Sequence, residues 1–453
     1  MKKIQIIAVI AVLIIIVAGI SAAYVMTRDN SKPTVTLSAY PQAADVSFTW
    51  EKQGMDAPVA YTGSITADKG DVLTITATSS NSDFLFWDDM SAGADSEHTR
   101  TYSVTGNATL TAFFMPDGNT VTDARGRVVT IPDTINSVFA ALPCSLQLVS
   151  FFDAVNKVKY LDGTLSAAGG ENFDDNDRSH TYIMSDLLSG LPKVDTNNVE
   201  SVIETHADII INSTIDVSKL DDFQASVGIP VFAINADLEF NSPAMYYQLY
   251  ALGKLFGEEQ RAAELVNGIL SMIGYITDNS SPVIGMTGYA CGMNFYTPGS
   301  FLRTSGDYLP FIYSGLTNIS ASSSAGVGAQ PYNTNIESVI AANPQIIFID
   351  GQGLDTTVQF IKDNPALQQI DAIKNGQVYK TMVYKDWGTN WVNVLINIYY
   401  VASVVHPDLF SQTSFEDYAN QIIHLFYPHT DKTYEDLAGA QSGGLCRNVS
   451  DML

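Results

Sequence analysis

Few side chains in this 453-residue chain stand at spacings that do chemistry. Its six histidines, His98, His180, His206, His406, His424 and His429, show none of the close, regular spacings of metal ligands. Cys144, Cys291 and Cys446 are too few and too scattered for a disulfide framework or a Cys-rich zinc centre. No Gly-x-Ser-x-Gly, phosphate loop or dinucleotide-binding glycine pattern is present. Nothing in the sequence places Cys144 beside His180, as a thiol hydrolase would require. The acidic run at 171–177 lacks the glycine and terminal glutamate of an EF-hand calcium loop and reads as a solvated insertion. Neither catalysis nor a cofactor is expected.

Two carboxylates stand out because they recur. Glu200 in Asn198-Val199-Glu200-Ser201-Val202-Ile203 and Glu337 in Asn335-Ile336-Glu337-Ser338-Val339-Ile340 lie 137 positions apart. In each copy the asparagine can cap a helix start, and the glutamate falls in the first turn, where the helix dipole favours an anion. An unalternating β-branched run follows, Ile209-Ile210-Ile211 and Ile346-Ile347-Phe348, as in a strand covered on both faces. A helix-strand unit repeated at this distance predicts two similar α/β lobes.

Ligands of open α/β sheets bind beyond the carboxyl ends of the strands. In the first lobe that rule selects Cys144 and Ser145 after the strand 137–141, and Asn212 and Ser213 after the repeat strand. In the second, with 283–287 read as the first strand, it selects Tyr289, Phe295 and Tyr296, then Gln352, then Tyr384, Lys385 and Trp387. The aromatics suit stacking on a large planar or partly apolar ligand, with Lys385 as a charge partner; they suit a core equally. Cys144 and Cys291 fall at matching places. That pattern fits two buried apolar thiols, or a soft metal pair or disulfide if both face the cleft.

The wider chain divides by composition. Lys2 and Lys3 precede an uncharged Ile/Val-rich run at 4–26, long enough to span a hydrocarbon core of about 30 Å. Residues 1–28 are therefore expected to be a transmembrane anchor or signal segment, with the rest extracytoplasmic. Residues 33–116 alternate Thr, Val, Ile and aromatics between Gly, Asp and Asn turns, predicting a small all-β module. The α/β pattern begins near 119, and the Gly/Ser/Ala-rich end at 435–453 reads as a flexible tail. A hydrophobic content of 46% indicates a globular protein, and a net charge of −25 argues against nucleic acid, whose phosphates require a basic surface.

Two stretches carry a resemblance. Asp123-Ala-Arg-Gly126-Arg127-Val-Val129-Thr-Ile131-Pro132 leads into a strand, and Leu252-Gly253-x-Leu255-Phe256-Gly257-x-Glu259-x-x-Ala262 joins two helical patterns. With the twin glutamate segments, they resemble the class III solute-binding proteins of ABC importers, receptors for iron-siderophore, haem and cobalamin complexes, over about 121–434. The resemblance implies a two-lobed periplasmic-binding-protein fold, with lobes at 119–242 and 278–434 joined by long helices at 243–277. It implies an ABC permease and its ATPase as partners, a metal chelate or corrinoid as ligand, and docking of Glu200 and Glu337 on the permease. The 33–116 module resembles the divergent internalin B-type repeat of surface proteins. A surface adhesion or sensing protein with the same fold is the alternative.

Overall fold

The computed structural model describes residues 32–43, 45–90, 98–142, 144–163, 176–280, 282–283, 285–293, 299–321, 331–410 and 414–453. The expected membrane segment, Phe295, Tyr296 and 171–175 of the acidic run lie outside them. Among the described residues no helix is long and apolar enough to cross a membrane. The chain forms two compact units that divide between Phe114 and Met115.

The first unit is the all-β module. One sheet orders Ile65–Thr66, Thr34–Tyr40, Ala108–Pro116 and Ser82–Trp87; the other orders Val59–Ala60, Ser47–Lys52, Val72–Thr78 and Thr99–Ser103. Alternation places Leu73, Ile75 and Ala77 in the core with Val35, Trp87 and Phe114, while Thr74 and Thr76 point the other way. Arg100 packs over the Trp87 ring and is ion-paired with Asp88 and Asp89.

The second unit opens with the hairpin of Thr120–Thr122 and Val128–Thr130. Its turn explains the Asp-x-x-Gly-Arg pattern physically. Asp123 is fully buried; its Oδ1 accepts from the N–H of Arg125 (2.9 Å) and Arg127 (3.0 Å), and its Oδ2 from Ala233 N (3.1 Å) and Arg127 Nη1 (3.2 Å). Gly126 supplies the positive φ of 78° that the turn requires. Arg127 continues to Asp221 and Gln224, tying the hairpin to the helix Val217–Val227.

The first-lobe sheet is parallel, in the order Lys193–Val194, Val158–Asp162, Val138–Ala141, Ile209–Asn212, Val231–Ala233. The second-lobe sheet orders Thr317–Asn318, Thr287–Cys291, Ile346–Asp350 and Val378–Thr381 in parallel, then Arg447–Asn448 antiparallel. In both lobes the repeat strand lies beside the lobe's first strand, as a duplicated unit predicts. Asn198 caps the helix Val199–Ile203 by accepting from Ser201 N, and Asn335 caps Ile336–Ala342 from Ser338 N.

Two expectations are corrected. The first strand of lobe two is Thr287–Cys291 and not 283–287, because Gly285 turns the chain with φ 82°. The segment 435–453 is not a loose tail: helix Tyr434–Ala440 begins in a Thr433–Asp436 capping box, Arg447–Asn448 joins the sheet, and Val449 is fully buried in the lobe-two core.

Helices Pro243–Phe256 and Glu259–Asn279 join the lobes, as expected, with Gly257 in the left-handed conformation between them. They pack so closely that a Cβ on Gly253 would lie 2.5 Å from that of Ala262. Arg261 donates to Phe151 O (3.0 Å) in lobe one and to Leu425 O (2.6 Å) at the end of helix Phe415–Phe426, fastening both lobes to the link.

Candidate ligand site between the lobes

The carboxyl ends of both parallel sheets meet at a seam. Lobe one sends residues 235–240 from beyond Val231–Ala233, together with 176–184; lobe two sends 384–390 from beyond Val378–Thr381. Backbone and side chain cross the seam together. Thr389 N donates to Ala236 O (2.9 Å), Trp391 Nε1 to Leu238 O (2.8 Å), and Tyr384 Oη to Glu239 Oε2 (3.1 Å).

Two cations are buried there, each held by carboxylates of the opposite lobe. Lys385 Nζ lies 3.5 Å from Asp237 Oδ1 and 3.6 Å from Glu239 Oε1, while Arg178 Nε lies 2.9 Å from Asp386 Oδ2. The Lys385, Glu239 and Arg178 side chains are only 2–3% exposed. Removing such groups from water is costly, so the pairs persist only because each partner is there. Burial raises the Glu239 carboxyl to about 7, against the pull of Lys385 and Tyr384 toward the charged form. Burial likewise raises Asp350 to about 7, although the N–H groups of Tyr384 and Gln352 favour its ionised form.

Of the residues expected at the site, Lys385 takes a central place. Gln352 reaches the seam and donates through Nε2 to Asp177 Oδ2 (3.0 Å), and Trp387, at φ 60°, is partly exposed in the same loop. Cys144 also reaches it: a Cβ on Gly388 would overlap the Cys144 sulfur.

Others have different roles. Tyr289 is core, its hydroxyl donating to Phe301 O (2.6 Å), since it lies within the strand Thr287–Cys291 and not in the loop beyond. Tyr384 has a fully buried ring, tilted against that of Tyr308, and reaches the seam through its hydroxyl. Ser145 is buried with its Oγ donating to Ala141 O, and Asn212 folds back on Thr214 N with Ser213 between them. Cys291 is a free thiol in the lobe-two core, where burial raises its pKa well above the ordinary value. Cys144 and Cys291 are not joined in a disulfide and lie in different surroundings, Cys291 in the lobe-two core and Cys144 beside Gly388. Among the described residues no group of three or more His, Cys, Asp or Glu is arranged to hold a metal ion.

The sequence does not single out Arg178, Asp237 or Glu239, whereas Asp386 lies in the loop 384–387 that the carboxyl-end rule selects. The carboxyl-end rule would have reached 235–239 had Val231–Ala233 been read as a strand. Arg178 carries no such signal, because its segment is an insertion between strands. Apart from the seam, a cavity of about 260 Å³ opens between 150–156, 183–187 and 427–432, floored by Arg261 and Tyr427.

Residues 163–382 match the model of the periplasmic binding protein family. That match spans a little under half of the chain, and with the two-lobed architecture it makes this part of the chain similar to periplasmic substrate-binding proteins. The molybdate-binding protein MolA of Haemophilus influenzae is 21% identical over 332 residues, 68% of this chain and 90% of that protein. The structure of MolA bound to molybdate matches with a TM-score of 0.54 at 19% identity, covering 70% of this chain and 100% of its own. A periplasmic solute-binding protein of Veillonella parvula gives 0.55 at 18% identity over 71% and 96% of the two chains. Helicobacter pylori CeuE with Ni(II) bound gives 0.52 at 16% over 69% and 97%.

Proposed function

We propose that this receptor acts outside the cytoplasm and captures a compact anion, either a metal oxyanion or a metal held by an anionic chelator, at Arg178 and Lys385. The observation that carries this reading is the pair of buried cations at the seam, each matched with carboxylates that an incoming anion can replace. Molybdate binding by MolA supports the oxyanion form. An iron-siderophore complex fits if its chelator is anionic. Haem or a corrinoid has less support, because Tyr289 and Tyr384 are buried and leave Trp387 as the one described aromatic of the expected set at the seam surface.

Titration calorimetry with molybdate, ferric siderophores, haem and cobalamin tests the ligand. An anion is expected to bind, and Arg178→Ala and Lys385→Ala should each weaken it about 10- to 100-fold, the range of a charge-assisted hydrogen bond of roughly 1.5–3 kcal/mol. Tight binding of cobalamin with indifference to every anion would sink the reading.

Glu200 and Glu337 are exposed in the first turns of matching capped helices, one per lobe. They serve as the permease contacts, residues 4–26 as the membrane anchor, and the all-β module, read as an internalin B-like repeat, as a spacer. Reversing both charges with Glu200→Arg and Glu337→Arg should leave ligand affinity intact and reduce ligand-stimulated ATPase activity of the reconstituted importer to background. A loss of affinity instead would assign these residues to the ligand site.

A further inference from the structure

Arg178 belongs to lobe one by sequence, yet the residues on either side of it are bound to lobe two. The preceding Asp177 accepts through Oδ1 from Ser442 N (2.6 Å), and through Oδ2 from Ser442 Oγ (2.8 Å) and Gln352 Nε2 (3.0 Å). Its main-chain oxygen accepts from Asn390 Nδ2 (2.8 Å). The following Ser179 presents its Oγ to Asn393 Oδ1 (2.7 Å) and Asn390 Oδ1 (3.0 Å). All three residues are nine-tenths or more buried.

The receiving surface is itself fixed. Asn393 donates through Nδ2 to Val383 O (3.0 Å) and Gln441 Oε1 (2.9 Å), and Gly351 faces Ser442 so closely that a Cβ there would lie 2.6 Å from the Ser442 oxygen. Buried hydrogen bonds of this number are expensive to break singly, because each leaves a desolvated group unpaired.

We infer that Asp177 is a positioning residue: with Ser179 it staples the segment carrying Arg178 to lobe two, so that lobe two, and not lobe one, presents this cation to the ligand. The inference rests on the proposed function for the role of Arg178, but the staple itself is a statement about contacts. Its consequence is a division of the site. Lys385 and Arg178 travel together on one lobe, and lobe one contributes the carboxylates Asp237 and Glu239 that leave as the lobes part.

The test uses the full chain, with molybdate as the probe and amide hydrogen exchange as a ligand-free readout. Asp177→Ala is expected to raise the molybdate Kd at least tenfold. It should also speed exchange of the amides at 179–184 about tenfold, while those of the lobe-one strand Ile209–Asn212 keep their wild-type rates. Ser442→Ala, which retains the main-chain donor, should move both readouts in the same direction by less, and it stands in if Asp177→Ala does not fold. Unchanged exchange at 179–184, or faster exchange through all of lobe one, overturns the staple. Wild-type molybdate affinity in Asp177→Ala overturns its role in presenting Arg178. A wild-type chain that takes no anion overturns the proposed function, and the exchange rates then decide the staple alone.

Discussion

Asp123→Ala is expected to lower the unfolding free energy of the two-lobed unit by about 3–5 kcal/mol, the cost of removing one partner of a buried ion pair. The carboxylate has no exposure and serves four donors at once: the N–H groups of Arg125, Arg127 and Ala233, and the Arg127 guanidinium. Alanine leaves the Ala233 amide, at the end of the lobe-one edge strand, without its acceptor, and each orphaned buried donor carries a penalty of roughly 1–3 kcal/mol. Arg127 retains Asp221, Gln224 and Val231 O, so the loss falls short of that for an isolated buried charge. Chemical denaturation followed by circular dichroism measures it. A change below about 1 kcal/mol would show that the turn holds its shape without the carboxylate.

The second large effect depends on pH. Glu239 has its carboxyl raised from 4.5 to about 7 by burial, so the folded chain holds this proton more tightly than the unfolded one. The sign follows directly. The contribution is complete below about pH 4, declines as pH rises from there, and is lost once pH passes about 7. At roughly 1.4 kcal/mol per tenfold change in proton affinity, the total is about 3 kcal/mol. Glu239→Gln should flatten that part of the stability-pH curve between pH 5 and 8, because glutamine can still accept from Tyr384 and never ionises. Asp350, raised in the same direction, leaves a residual slope. Denaturation midpoints across that range provide the measurement, and a variant whose slope equals the wild type's would place the proton elsewhere.

Local patterns in the sequence translated well into structure. The twin Asn-capped helices, the strands after them and the linking helices form where cap, periodicity and glycine place them. The all-β module follows from strict alternation. The site was less legible because it is made of contacts between distant residues. Arg178 meets Asp386 and Asp177 meets Ser442 across 208 and 265 positions, and no local spacing encodes either. Tyr289 was misplaced for another reason: a β-branched run before Gly285 looks more like a strand than Thr287-Gly288-Tyr289 does, and a shift of four residues exchanges loop for core. The segment at 435–453 misled through its glycines. Gly443 is required where the chain crosses Lys380, since a Cβ there would lie 2.8 Å from the lysine Cε, so the residue that suggested looseness marks a tight crossing.

The antiparallel strand Arg447–Asn448 has a consequence for colloidal behaviour. A parallel sheet ending at Val378–Thr381 would expose a row of unpaired amides and carbonyls, a template for a strand from another molecule. Two residues cover it, with Tyr379 paired to Asn448 and Lys380 to Arg447, and both covering residues are polar and exposed. Their own outer edge is too short and too hydrated to recruit a neighbour, so lobe two ends in a blunt margin that resists sheet-to-sheet association at high protein concentration.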